Sequence, residues 1–249
     1  MVEPSARIRP YRPSDEKLVK FILGKSTMEG LAVANQTAVF HPVTLSIWVA
    51  LSCIMIQILD WWPKPQYGWL GNLAPLPAFG CWAMPVLYFI DWINRPFFDE
   101  AALNTLRRPD MVDIPIYYSR SPSSGFFILE YGDTFVGLIA TDASEDSMSD
   151  KTVTTNNHAA SKATLRVATI RHFYVEEPFR KIKIQNDLLQ HAIRHTFEGG
   201  TTVDSISATS SPLIEYIRIS LQENGFQYDK TARHVGIYGW KVTKMVLKR

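Results

Sequence analysis

The sequence predicts one α/β domain that is interrupted by a two-helix membrane hairpin. Two apolar stretches, 43–59 and 73–90, contain no Lys, Arg, Asp or Glu, and each is about as long as the shortest membrane-spanning helices, roughly 17 residues. The remaining sequence alternates between strand and helix patterns, as α/β domains do. The length of 249 residues, with 46% hydrophobic and 20% charged residues, suits one domain plus such a hairpin.

Residues 1–40 are predicted to form the first strand and helices of the domain. Residues 6–12 alternate in the manner of an edge strand, and Ser14 is expected to cap a helix that runs to about Gly24. Asp15 and Glu16 fall in the first turn of that helix, where the helix dipole favours acids.

The transmembrane hairpin is predicted within residues 41–95. Proline in the second stretch makes it a poor regular helix, at Pro75, Pro77 and Pro85. Two buried core helices or an interfacial hairpin are therefore the alternatives to insertion. Insertion is favoured by the residues that prefer a membrane interface, which flank the stretches at Trp61, Trp62, Tyr67, Trp69, Tyr88 and Trp92.

Charge around the hairpin predicts its orientation. The connection 60–72 holds a single basic residue, Lys64, whereas several lie outside the pair, so both outer flanks are expected to face the cytosol. The N-terminal sequence lacks the features of a cleaved secretory signal. The first span is therefore expected to act as an uncleaved membrane signal.

Residues 96–249 are predicted to form the remainder of the domain. The segment 143–162 is rich in Ser, Asp, Thr and Asn and is expected to be a mobile loop. The other predicted elements are a helix at 97–106 ending over 109–115, a β-hairpin of 125–131 and 134–142, a strand at 163–175, a helix at 180–198, a strand at 203–208, a helix from Pro212 to Asn224, and strands within 235–247.

Composition argues against two classes of partner. The net charge of +2 and the lack of a basic stripe interleaved with aromatics argue against nucleic acid. Cys53 and Cys81 each fall inside a proposed span, which suits packing residues better than ligands or a nucleophile. His191, His195 and His234 have no partner spacing typical of a metal site, so no metal is expected.

Four blocks of sequence carry a family resemblance: IRPYRPSDEKLVKFIL, the apolar hairpin directly after it, PDMVDIPIYY followed by FFILEYGDTFVGLIA, and HFYVEEPFR leading into NDLLQHAI. With the pair Gly225 and Phe226 after the last helix, the chain resembles the GNAT acetyltransferase superfamily. Within it, the sequence is most similar to the membrane-bound camello-type N-acetyltransferases, which include an enzyme that acetylates cysteine S-conjugates. The resemblance implies a mixed central sheet, acetyl-CoA as co-substrate, an amine acceptor, and an endoplasmic-reticulum membrane protein with both termini cytosolic.

The resemblance also implies where acetyl-CoA would lie. In this fold it occupies a V between two parallel strands, here 169–175 and 203–208. Exposed backbone groups near Phe173 and Val175 would bind the pantetheine arm. The diphosphate would sit at the N-terminus of the helix that begins near Lys181, where free N–H groups favour anions.

The expected diphosphate turn departs from the family pattern, R/QxxGxG/A. Arg180 matches its first position, but Lys183 and Gln185 replace the glycine and the small residue that let a backbone approach the diphosphate. Either the lysines supply charge in place of close approach, or the turn no longer holds coenzyme A. Leu221 also replaces the family's tyrosine proton donor, and Tyr216 is turned to another face of that helix.

His172 is the candidate general base. It matches a histidine of the camello-type enzyme, and an imidazole can accept a proton near neutral pH. A hydrogen-bonded core histidine is the alternative interpretation, and Glu176 and Glu177 are weaker candidates.

Two hypotheses follow. The first is a membrane N-acetyltransferase that acts on a small or membrane-associated amine. The second is a catalytically inactive membrane scaffold or packaging chaperone for a membrane-protein client, and it is favoured by Lys183, Gln185 and Leu221.

Overall fold

The computed structural model describes residues 5–132, 134–144, 164–200 and 202–249. Its centre is one seven-stranded sheet in the order β1-β2-β3-β4-β5-β7-β6. Among the described strands β4 and β5 form the parallel pair, and the other neighbours are antiparallel. The predicted α/β class and mixed sheet are confirmed. The strands are β1 (Ala6–Pro10), β2 (Gly125–Tyr131), β3 (Thr134–Ser144), β4 (Thr164–Val175), β5 (Ser205–Ser210), β6 (Gln227–Val235) and β7 (Trp240–Lys248).

Two buried layers cover the sheet. On one face α6 and α7 pack over side chains such as Ile139, Val175 and Ile206. On the other face α1 and α4 pack over Ile128, Leu138 and others. The helices are α1 (Glu16–Val39), α2 (Pro42–Leu59), α3 (Leu76–Leu106), α4 (Ile114–Tyr118), α5 (Glu177–Arg180), α6 (Ile184–Glu198) and α7 (Glu215–Glu223).

Helix α1 differs at both ends from the helix that was predicted between Ser14 and Gly24. Ser14 does not cap it; Asp15 instead accepts the Arg12 N–H at 2.9 Å and pairs with Arg9 at 2.7 Å. The helix continues 15 residues past Gly24 to Val39. The longer helix buries apolar residues such as Leu31 against Phe98 of α3, and this packing outweighs the weak helix preference of one glycine.

Helix α3 joins two elements that were predicted to be separate. The second apolar stretch and the helix predicted at 97–106 form one 31-residue helix with Pro85 and Pro96 inside it. Helices α2 and α3 are long and apolar enough to cross a membrane. Only 17% of the apolar segment of α2 and 11% of that of α3 is buried. The buried-core alternative is therefore wrong for the two apolar stretches, because few of their residues are buried.

The hairpin returns the chain to the sheet that it left. Strand β1 precedes α2 and α3, β2 follows them, and the two strands pair from Ala6–Tyr131 to Pro10–Phe127. The β6–β7 turn contacts the hairpin: the Tyr238 hydroxyl lies 2.6 Å from that of Thr44, and the Ile237 N–H donates to Asn94. The domain is thereby joined to one end of the hairpin.

The last predicted strands begin too late in the sequence. β6 occupies Gln227–Val235, whereas strands were expected only within 235–247. This strand lies at the sheet edge and is largely exposed, so it lacks the alternating apolar pattern that reveals half-buried strands. Most of the loop predicted at 143–162 lies outside the described residues, and β3 extends through Ser144.

Candidate functional site

Strands β4 and β5 part at the centre of the sheet. They pair in parallel from Val167–Ser205 to Ile170–Ala208. Beyond that point β4 stays paired with β3 through Val175, and β5 stays paired with β7 through Ser210. A cleft therefore opens between the two strands, as the resemblance implied.

A cavity of about 240 Å³ lies at the base of this cleft. Ser210 lines it and buries a hydroxyl that has no hydrogen-bond partner among the described residues. The other lining residues come from α1, α3, α7, the strands β4 to β7 and the adjoining connections, and include Ser26, Thr27, Gly30, Phe98, Thr105, Arg171, His172, Phe173, Thr209, Ile217 and Leu221. The cavity is thus a mixed polar and apolar chamber between the sheet and the helices that lead to the hairpin.

An irregularity in β4 sets the position of His172. Ala140 pairs with His172 and Thr141 pairs with Ile170, so Arg171 is an extra residue in the ladder. Such a bulge redirects the neighbouring side chains. His172 Nε2 lies 2.7 Å from Asp110 Oδ2, and the histidine also lines the cavity.

Asp110 holds one side of the His172 ring. It is fully buried and also accepts the Tyr118 hydroxyl at 2.9 Å. Burial opposes its ionisation, but the interactions with His172 and Arg171 prevail and lower the pKa of Asp110 to about 2. A carboxylate at Nε2 favours the tautomer with the proton there. Nδ1 is left without a hydrogen-bond partner among the described residues.

A second buried pair lies beside the first. Arg171 donates from Nε to Asp142 at 2.8 Å, and the Tyr117 hydroxyl donates to the same carboxylate at 2.9 Å. The adjacent residues Tyr117 and Tyr118 therefore donate hydrogen bonds to the two buried acids, Asp142 and Asp110 respectively. Because each acid faces a basic side chain, the buried charges are paired.

The turn before α6 has a left-handed residue where the R/QxxGxG/A pattern has glycine. Lys183 has φ 59° and ψ 24°, and its ammonium pairs with Glu223. Gln185 is buried and folds back to donate to the Arg180 carbonyl at 3.3 Å. Lys181 is exposed. The turn thus retains the bend, while side chains occupy the positions where small residues were expected.

The backbone of Val175 is engaged by two side chains. Its N–H donates to the Tyr216 hydroxyl at 3.4 Å, and its carbonyl accepts from Arg180 Nε at 2.7 Å. Arg180 also pairs with Glu29 of α1 at 2.6 Å. The resemblance implied free backbone groups here, and the structure differs because Arg180 turns back onto the strand end.

The structure brings several of the predicted site residues to one cleft. His172 and Phe173 line the cavity, Val175 lies two residues farther along β4, and Lys183 and Gln185 lie in the turn beyond. Leu221 lines the cavity with an apolar side chain. Glu176 pairs with Lys25 at 2.7 Å outside it. Within the described ranges no cluster of His, Cys, Asp and Glu could hold a metal.

Sequence reasoning missed Asp110, Glu29 and the contact that Tyr216 makes. Asp110 is 62 residues from His172 and Glu29 is 151 from Arg180. One available signal was the clustering of Asp110, Tyr117 and Tyr118 in a single block that carried the resemblance. Glu29 gave no such signal, because it lies beyond Gly24, where the first helix was expected to end.

Comparisons with known proteins return GNAT folds at low similarity. No protein-family model matches the chain, and no curated protein matches it. A GNAT-family acetyltransferase from Staphylococcus aureus Mu50 is 13% identical with a TM-score of 0.46, over 98% of this chain and 99% of that one. An Escherichia coli ribosomal-protein-S18-alanine N-acetyltransferase is 14% identical with a TM-score of 0.38, over 55% and 76%. A GNAT acetyltransferase from Elizabethkingia anophelis with acetyl-CoA bound is 11% identical with a TM-score of 0.37, over 55% and 81%.

Proposed function

We propose that the chain is a membrane-bound N-acetyltransferase of GNAT type, which passes the acetyl group of acetyl-CoA to an amine. One observation carries this proposal. β4 and β5 part above a cavity that His172 lines, with Nε2 held by Asp110 and Nδ1 unpaired among the described residues. The acceptor is an amine of a small or membrane-associated substrate or of a protein.

The residues of the cavity have separate roles. Acetyl-CoA would supply an acetyl thioester to the attacking amine. His172 would accept the amine proton at Nδ1, and Asp110 would hold the ring through Nε2. Leu221 offers no proton donor at the position where the family has tyrosine.

The fit of acetyl-CoA to these residues is partial. The cavity has room and polar groups for the reacting end, including the unpartnered Ser210 hydroxyl. The backbone groups of Val175 that would bind the pantetheine arm already carry the Tyr216 and Arg180 side chains. The arm does not fit this conformation, so we derive no catalytic step through it.

We propose a location at the endoplasmic-reticulum membrane, with both termini and the domain in the cytosol, as the resemblance implies, and the hairpin supports the membrane part of this proposal. Its helices expose apolar side chains such as Ile54, Ile58 and Met84, as a lipid-facing surface requires. The cavity is lined by α1 and α3, the helices that lead into and out of the hairpin. A membrane-linked or amphipathic amine could therefore reach it from the bilayer surface.

A second function is favoured because side chains close the site where the pantetheine arm of acetyl-CoA would bind. Arg180 and Tyr216 fill the strand end, and Leu221 has no acidic group that could donate a proton to the leaving thiolate. These features suit a catalytically inactive scaffold or packaging chaperone. Its client would be a membrane protein that contacts the hairpin.

The test is amine-dependent release of coenzyme A by the full chain in lipid nanodiscs, measured with a panel of small and amphipathic amines. We expect His172→Gln to lower the rate by about 100-fold. Asp110→Asn should lower it less and alter the pH profile, because the ring loses its orienting partner. The exposed His234→Gln is the matched control and should leave the rate unchanged. Absence of release with every amine, or full activity of His172→Gln, would contradict the proposal.

A further inference from the structure

Side chains from three separate elements converge on the end of β4. Glu29 comes from α1, Arg180 from the end of α5, and Tyr216 from α7. They meet at Val175, where the cleft between β4 and β5 is open. We call these three side chains the latch.

Arg180 is the centre of the latch. Its Nε donates to the Val175 carbonyl at 2.7 Å, and its Nη2 donates to Glu29 at 2.6 Å. The guanidinium lies 4.1 Å from the centre of the Tyr216 ring, a distance at which a cation is attracted to an aromatic face. One side chain therefore bonds the strand, the helix α1 and the ring on α7.

Glu29 is held in place from a second side. Its other oxygen accepts the Tyr174 hydroxyl at 2.7 Å. The Arg180 and Glu29 side chains are only 20% and 32% exposed. An ion pair with fixed, partly buried partners is stronger than a pair between freely moving surface chains.

The latch covers the groups that an incoming acyl-CoA arm would need. An amide-containing arm beside a strand binds through backbone N–H and C=O groups, and both groups of Val175 are taken. The cavity farther along the cleft is open and does not include Arg180. The reacting end of the site is thus formed, while the route to it along β4 is filled.

We propose that the latch is an autoinhibitory contact, and that breaking the Arg180–Glu29 ion pair admits the pantetheine arm of acetyl-CoA to Val175. This inference rests on the proposed function. Opening frees the Val175 carbonyl from Arg180, and the Val175 N–H becomes free when Tyr216, whose ring packs against Arg180, moves as well. Arg180 is then free to turn toward the diphosphate. Bound acetyl-CoA then holds the open state by occupying the strand end.

The position of Glu29 couples the latch to the membrane hairpin. One turn earlier on α1, Lys25 pairs with Glu176 at 2.7 Å, so two ion pairs join this helix to the end of β4. Helix α1 then runs to Val39, and α2 begins three residues later. A shift of α1 at the bilayer would therefore lengthen both ion pairs, Arg180–Glu29 and Lys25–Glu176.

The experiment measures acetyl-CoA binding to the full chain in nanodiscs by calorimetry. Glu29→Gln removes the charge that holds Arg180. The matched control is Glu16→Gln, which removes an acid from an exposed pair on the same helix. If the closed state holds about nine-tenths of the molecules, opening it tightens the apparent affinity by about tenfold.

We expect Glu29→Gln to bind about tenfold more tightly than the wild type, and Glu16→Gln to bind like the wild type. Tyr216→Phe frees the Val175 N–H while keeping the ring, and it should also tighten acetyl-CoA binding. If Glu29→Gln does not fold, the affinity of Tyr216→Phe tests the latch instead. Equal micromolar binding by wild type and both latch variants would overturn the latch but leave the proposed function. No binding to any variant at millimolar acetyl-CoA would overturn both.

Discussion

Lys183 shows at the scale of one residue how the site departs from the GNAT pattern that the sequence resembles. That pattern has glycine here, and the backbone adopts the left-handed conformation that glycine favours. A side chain in that conformation costs about 1–2 kcal/mol. Its ammonium pairs with Glu223 on an exposed surface, and such pairs contribute little. The strain is therefore largely uncompensated.

Glycine at this position should stabilise the protein. We expect Lys183→Gly to raise the free energy of unfolding by about 0.5 kcal/mol, since relief of strain exceeds the entropy that glycine adds to the unfolded chain. Lys181→Gly is the control, because Lys181 has a helical φ of −65°. It should lower stability by about 0.5–1 kcal/mol. Thermal unfolding in detergent measures both, and equal losses would contradict the strain argument.

Residue type predicted His172 as a candidate base, but could not reveal its partner. Asp110 and His172 are 62 positions apart in the sequence, and they are brought together by the pairing of β4 in the sheet and by the packing of α4. The engaged state of Val175 was equally hidden. It depends on Arg180 turning back to the strand, which local sequence does not specify.

At the scale of elements, α1 and α3 show the same limit. Gly24 and the prolines of α3 are local signals for helix ends, and they predicted breaks that the structure does not have. The two helices pack along one another, and tertiary contacts override weak local preferences. The strands of the core were predictable because their apolar runs are buried on both faces, whereas the exposed edge strand β6 was not.

Two glycines in α1 test the extended helix. At Gly24 a Cβ would meet nothing within 4 Å, so Gly24→Ala should raise the free energy of unfolding by about 0.5–1 kcal/mol. At Gly30 it would lie 3.2 Å from the Phe98 ring. Gly30→Ala should therefore lower stability by about 1 kcal/mol through overpacking. If Gly24→Ala destabilises the protein, the helix does not continue through this residue.

The whole molecule is a sheet domain fixed to a hairpin at one end. β1 and β2 flank the hairpin in sequence and pair in the sheet, so a membrane-spanning hairpin must return to its starting side. The contacts of Tyr238 with Thr44 and of Ile237 with Asn94 then hold the domain against the hairpin end. The cavity is consequently expected to lie near the bilayer surface.

Cysteine labelling tests this topology. In a background of Cys53→Ser and Cys81→Ser, an impermeant maleimide should label Ser119→Cys in intact microsomes, because Ser119 is exposed on the domain. Asn72→Cys, in the exposed connection between α2 and α3, should react only after the vesicles are permeabilised. Labelling of both sites in intact vesicles would instead indicate an interfacial hairpin.

The central claim is that the cleft between β4 and β5 receives acetyl-CoA. Hydrogen exchange of the full-length wild type and Glu29→Gln in nanodiscs, with and without saturating acetyl-CoA, tests it most directly. We expect slower exchange at residues 171–175 of β4 and at the turn 180–185, with β6 unchanged and the larger effect in Glu29→Gln. Unchanged exchange at β4 and the turn in both proteins would contradict the account.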